Sequence, residues 1–90
     1  MAGTANDVNL IMLKGELLYE AKQYAKAVDI YRLAVGKKGK HTGRAFLMLG
    51  YAAREANDIS VSRKAFGKAA MYKNRKKEAM AALRHLPKAE

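Results

Sequence analysis

Glu16 and Glu20 stand four residues apart in a stretch that reads as helix, so their carboxylates share one face a turn apart. A carboxylate pair of that kind can divide general acid and general base work between its members. His41 and His85 add two imidazoles, and Gly36, Gly39 and Gly43 form a glycine cluster that invites comparison with phosphate-cradling loops. None of these signals has the company it needs. A carboxylate pair on a surface helix is ordinarily a solvated face. The two histidines lie far apart and belong to no ligand-spaced motif, which argues against a metal site. The glycines lack the strand-to-helix setting of a phosphate loop. No serine, histidine and acid combination is suggested, and with no cysteine there is no thiolate ligand, cysteine nucleophile or disulfide framework. The residues therefore predict a protein that is not an enzyme, with no catalytic residue, no metal and no cofactor.

Ninety residues, half of them apolar, are enough for one small domain. No apolar run approaches the roughly 20 residues needed to cross a bilayer, so no transmembrane segment is expected. The start, MAGTANDVN, has neither a basic nor an apolar signal region. The compartment stays open: cytoplasmic by default, exported if a signal or anchor has been removed. Charge is more informative. Residues 1–36 balance Lys14, Lys22, Lys26 and Arg32 against Asp7, Glu16, Glu20 and Asp29, so the net charge of +10 resides entirely in residues 37–90. An excess placed in one half points to an acidic partner or a polyanion there, or simply to solubility.

Strand signals are nearly absent, and the only proline is Pro87. The periodicity predicts five helices. The first spans about Val8 to Lys22, capped by Asn6 or Asp7, with Leu10, Ile11, Lys14, Leu17, Leu18 and Ala21 inward. The second spans about Tyr24 to Val35, with Ala27, Val28, Tyr31, Ala34 and Val35 inward. The link at Gln23 is so short that the two form an antiparallel hairpin, and Gly36 is expected to end the second as a left-handed glycine cap. A basic linker, 36-GKKGKHT-42, follows, with Thr42 capping a third helix from Gly43 to about Ala56. Asp58 or Ser60 caps a fourth, ending near Met71, with Ser62, Phe66, Ala69 and Ala70 inward. A fifth runs from about Arg75 to Leu86 with Ala79, Met80, Leu83 and Leu86 in one stripe.

The two hairpins echo each other at an interval of 35: Gly15 with Gly50, Ala27 with Ser62, Tyr31 with Phe66, Ala34 with Ala69. A helix–turn–helix unit recurring near every 34 residues is the signature of the tetratricopeptide repeat. The stretch 14-KGELLYEAKQYAKAVDIYRLAV-35 resembles that family, and 46-FLMLGYAAREANDISVSRKAFGKAA-70 repeats it with the leucine–glycine pair Leu49–Gly50. Departures are the missing inter-repeat proline, Lys22 and Asn57 where the turn glycine usually stands, and Ser62 in place of alanine. The resemblance covers about residues 8–72. It implies an all-α fold, an α-solenoid of two antiparallel helix–turn–helix repeats plus a capping helix. The expected divisions are a fraying N-terminus (1–7), hairpins over 8–35 and 43–72 with the linker 36–42 between them, the capping helix over 73–86 and a tail (87–90). Two repeats are fewer than the three or so usually needed for stability, so a further alternative is that the chain is the end of a longer array or self-associates.

In that family the first helix of each hairpin lines a groove. Carried over, the resemblance places Asn9, Met12, Glu16, Tyr19 and Glu20 there from the first repeat, and Arg44, Leu47, Tyr51, Arg54 and Glu55 from the second. Met12 and Leu47 are alternatively plain packing residues. Members that clamp the carboxylate end of chaperone tails use lysine and asparagine where Met12, Glu16 and Met48 stand here, so that ligand is not expected. The expected function is non-catalytic: a scaffold or adaptor binding a protein, peptide or helix, acidic partners included, in this groove. The alternative is a polyanion, nucleic acid included, held by the basic residues Lys37, Lys38, Lys40, Arg63, Lys64, Lys68, Lys73, Arg75, Lys76 and Lys77.

Overall fold

The computed structural model describes residues 7–87, which fold into five α-helices with no strand among them. These are α1 (Val8–Glu20), α2 (Tyr24–Val35), α3 (Thr42–Glu55), α4 (Ile59–Ala69) and α5 (Lys76–Arg84). Each packs on its successor, α1 on α2, α2 on α3, α3 on α4 and α4 on α5, so the chain is a repeat-like stack of two hairpins closed by a fifth helix.

Small residues set the closeness of the hairpins. A methyl group on Gly15 would lie 2.6 Å from the Tyr31 ring, and one on Gly50 would lie 2.5 Å from the Phe66 ring. Both rings are fully buried. The Ser62 hydroxyl, also fully buried, donates to the Gly50 carbonyl at 2.8 Å, so the one polar side chain at this crossing is satisfied by the backbone that it touches. One apolar cluster joins Ile11, Met12, Val28 and Tyr31 of the first hairpin to Ala45, Leu49, Ala52 and Ala65 of the second. Another joins Leu47, Phe66 and Ala69 to Ala79 and Ala82 of the closing helix and to Leu86 just beyond its end.

The turn inside each hairpin repeats as well. Ala21 and Ala56 end α1 and α3, and Lys22 and Asn57 follow with φ of 63° and 65°. The amide of Gln23 then bonds the Leu18 carbonyl, and the amide of Asp58 bonds the Ala53 carbonyl, closing the wide loop of a Schellman ending in both places.

Several expectations are corrected. The inward face of α1 is Ile11, Met12 and Gly15, with Leu18 partly buried, whereas Leu10, Lys14, Leu17 and Ala21 are exposed. The face is rotated because Gly15, where Tyr31 must approach, sets the contact line. Helix α1 stops at Glu20, α4 at Ala69 and α5 at Arg84, each about two residues early, because turns close their last carbonyls. Gly36 is not left-handed; its φ is −73°. Thr42 does not cap α3 but begins it, exchanging two 2.8 Å hydrogen bonds with Gly39 in which its hydroxyl donates to the carbonyl and accepts from the amide. In α5 Met80 is exposed and Ala82 takes its place in the core. Asp7 caps α1 through the amide of Asn9, and Asp58 caps α4 through that of Val61. Asn6, the other cap considered for α1, lies outside the described residues, as do residues 1–6 and 88–90 of the expected termini.

Candidate functional site

Helices α1 and α3 lie near enough for their side chains to meet. The Arg44 guanidinium of α3 pairs with the Glu16 carboxylate of α1. Further along, Tyr51 and Arg54 of α3 share a turn, with the guanidinium 5.1 Å from the centre of the phenol ring. Arg54 also reaches Glu55 at 3.5 Å. The Tyr51 ring meets buried Phe66 edge-on at 5.1 Å, and its hydroxyl donates to Glu78 of α5 at 2.7 Å. Tyr19 of α1 meets Tyr24 edge-on at 5.3 Å.

These groups feel one another across the helices. Burial raises the Tyr19 phenol above its ordinary value, with the Glu55 carboxylate adding to the rise. Tyr51 is pushed up to about 12, first by burial and then by its hydrogen bond to Glu78, with smaller contributions from charge, that of Tyr19 included. Tyr19, Tyr51, Arg54, Glu55 and Glu78 are therefore one electrostatic neighbourhood, and the Glu16–Arg44 pair joins the same two helices.

The remaining expected groove residues divide. Met12 and Leu47 are 4% and 3% exposed and belong to the core, so neither presents a side chain to a partner. Asn9 and Glu20 are exposed on the helical face of Glu16, at opposite ends of α1. Glu78 was not foreseen as a member, and only the docking of α5 brings it to Tyr51; no motif marked it. Tyr24, edge-on to Tyr19, was likewise seen only as the start of α2. Two shallow hollows lie elsewhere, one around Lys22, Gln23, Tyr24, Ala25, Lys26 and Ala56, the other around Lys14, Leu18, Lys26, Asp29 and Ile30.

The basic residues are spread over three segments. Lys38 and Lys40 are exposed in the linker, where Lys37 is half-buried. Lys64 and Lys68 are exposed one turn apart on α4, and Arg63 beside them donates to the Pro87 carbonyl. Lys73, Lys76 and Lys77 are exposed around the start of α5, and Arg75 is its N-terminal flanking residue. Tyr72, beside the last of these segments, packs on the start of α3. Its side chain lies where a methyl group on Gly43 would be 2.9 Å away, and its ring centre is 6.4 Å from that of Phe46. His41 is held at the same place by a 2.7 Å hydrogen bond from its ring to the Ala34 carbonyl. No group of three acidic or histidine side chains suited to a metal ion occurs among the described residues.

No family model, curated protein or solved structure matches this chain.

Proposed function

We propose that this chain is a non-catalytic interaction module of the tetratricopeptide repeat type, binding an extended peptide or a helix along the face shared by α1 and α3. One observation carries the reading: Tyr19 and Tyr51 sit half-buried on the two helices that the Glu16–Arg44 pair joins, Tyr19 against Tyr24 and Tyr51 against Phe66, Arg54 and Glu78. Aromatic rings fixed in place and rimmed by both signs of charge are the usual anchors of peptide recognition, since they bury area without losing much rotamer freedom on binding. The repeat reading rests on the 35-residue echo of glycine, aromatic and small residues, and the equivalent left-handed turns support it. With Met12 and Leu47 in the core, the recognising set is Asn9, Glu16, Tyr19, Glu20, Arg44, Tyr51, Arg54, Glu55 and, from α5, Glu78.

The test is comparative capture from a cell extract with the wild type and with Tyr19→Ala/Tyr51→Ala, identified by mass spectrometry. The variant should lose the partner while keeping its helical circular dichroism. A partner held equally by both proteins would overturn the assignment.

A second reading, polyanion binding by the basic half, is favoured by the charge of residues 37–90, which carry the whole net +10 and expose Lys38, Lys40, Lys64, Lys68, Lys73, Lys76 and Lys77. Affinity for a short RNA or DNA duplex should then fall with salt at a log–log slope of about −0.7 to −0.9 per phosphate contacted. Undetectable binding at low salt would dispose of it.

A further inference from the structure

The 35-residue echo says what each face of a hairpin is for. Ala45, Leu49, Ala52 and Ala53 of α3 and Ala65 of α4 are 0–6% exposed and pack in one cluster with Val28, Tyr31 and Val35 of the preceding hairpin. Their counterparts one interval earlier are Leu10, Lys14, Leu17 and Leu18 of α1 and Ile30 of α2. There Leu10 is 47% and Leu17 57% exposed, Lys14 is exposed, and Leu18 and Ile30 are only partly covered. Leu13 and Leu33 are exposed as well, at 49% and 57%. Positions that receive a neighbouring hairpin in the second repeat thus stand open or only partly covered in the first, and all but Lys14 carry larger apolar side chains there.

The structure assigns this edge to a second copy of the same chain, the two copies pairing α1 to α1 about a two-fold axis. Three observations select that occupant. Leu10, Leu13 and Leu17 follow the three-and-four spacing of a two-helix seam, in which identical stripes interdigitate. The charge of residues 1–36 sums to zero while residues 37–90 carry the whole +10, so pairing at this end keeps the charged halves of two copies apart. Lys14, at a position where the second repeat buries Leu49, needs an acid opposite it once covered, because burying an unpaired cation is costly. Asp29 lines the same hollow as Lys14 and Lys26, so across a two-fold axis each copy presents both signs of charge to the other.

Sedimentation equilibrium of the full chain tests the assignment. The wild type should distribute between monomer and dimer with concentration. Leu13→Glu/Leu17→Glu, at two exposed positions where folding has little at stake, should raise the dimer dissociation constant at least tenfold with unchanged circular dichroism. Lys14→Asp should weaken the dimer, and Lys14→Asp combined with Asp29→Lys should restore it. A wild type that stays monomeric up to its solubility limit overturns the proposal and leaves the edge to a preceding hairpin of a longer chain. A dimer untouched by the glutamate variant, or growth beyond dimer with concentration, overturns the α1-to-α1 geometry. Tyr19→Ala/Tyr51→Ala should leave dimerisation intact, which separates failure of this inference from failure of the groove.

Discussion

Lys22 and Asn57 adopt the same left-handed backbone conformation, at φ of 63° and 65°, thirty-five residues apart. Each sits at the turn of its hairpin, in a place that glycine fills without steric cost. A side chain there brings Cβ against the carbonyl that follows, costing roughly 1–2 kcal/mol, less for asparagine, whose short polar side chain tolerates this region. Lys22→Gly should therefore stabilise the protein, by up to about 1 kcal/mol once the greater freedom of glycine in the unfolded chain is deducted. Asn57→Gly should gain less. For a domain of this size 1 kcal/mol moves the melting temperature by roughly 4–8 °C, well within a thermal scan by circular dichroism. No rise for either variant would show that the turns are not strained.

The same interval exposes an imbalance in helix capping. Gln23 and Asp58 precede α2 and α4 with similar backbone angles (φ −92°, ψ 68° against φ −98°, ψ 79°), but only Asp58 has a side chain that accepts an amide, from Val61. Gln23→Asp should recreate that bond at the amide of Lys26. A good cap contributes about 0.5–2 kcal/mol. Denaturant midpoints of the wild type and variant check the gain; a loss would mean that the two turns differ in ways their backbones conceal.

Glycine-to-alanine exchange should have opposite signs at different helical positions. At Gly67 nothing lies within 4 Å of an added methyl group, so Gly67→Ala should follow intrinsic propensity and gain about 1 kcal/mol. At Gly15 and Gly50 the methyl group would fall on the Tyr31 and Phe66 rings, which have no exposed side to swing into. Overpacking of that kind costs roughly 1–3 kcal/mol and should outweigh the same propensity gain. Gly67→Ala up and Gly15→Ala and Gly50→Ala down is the expected order in urea unfolding.

How far the sequence could be read follows from where each signal is stored. Gly15, Gly50, Tyr31 and Phe66 act within one hairpin at fixed spacing, so the five helices and the crossings between them were legible. The rotation of α1 was not. Its apolar residues cover both Ile11–Met12–Leu18 and Leu10–Leu13–Leu17, and periodicity does not say which stripe a neighbour covers. Aligning Gly15 with Gly50 puts Leu10 and Leu17 on Ala45 and Ala52, which are covered by the preceding hairpin, so the exposed stripe of α1 is the one that such a hairpin covers in the second repeat. On the candidate face, Tyr19 and Tyr51 were readable from the repeat register, whereas Glu78 depends on how α5 docks, a tertiary fact with no local motif. Met12 and Leu47 went the other way: helical position suited them to a groove, but packing between helices claimed both.

Alkaline titration probes the aromatic framework as a whole. Tyr31 is fully buried and its hydroxyl has no hydrogen-bond partner among the described residues; burial pushes its phenol up to about 12. Tyr51 is pushed up to about 12 as well, by burial and by its bond to Glu78. In the unfolded chain both ionise near the ordinary value of 10. Below pH 10 both phenols are neutral in either state and their contribution is fully present. Between pH 10 and 12 the unfolded chain releases protons that the folded chain retains, so stability falls with rising pH until the folded phenols ionise too. Tyr31→Phe should remove one of these two titrations and flatten the decline. It should also leave stability at neutral pH equal or higher, since an unpaired buried hydroxyl costs about 1–3 kcal/mol and Phe66 already occupies the equivalent position in the second hairpin. Urea midpoints measured at pH 8, 10 and 11 for the wild type and Tyr31→Phe decide the matter. Parallel declines in the two proteins would show that Tyr31 ionises as freely in the folded chain as in the unfolded one, and is therefore not the sealed wedge that its packing describes.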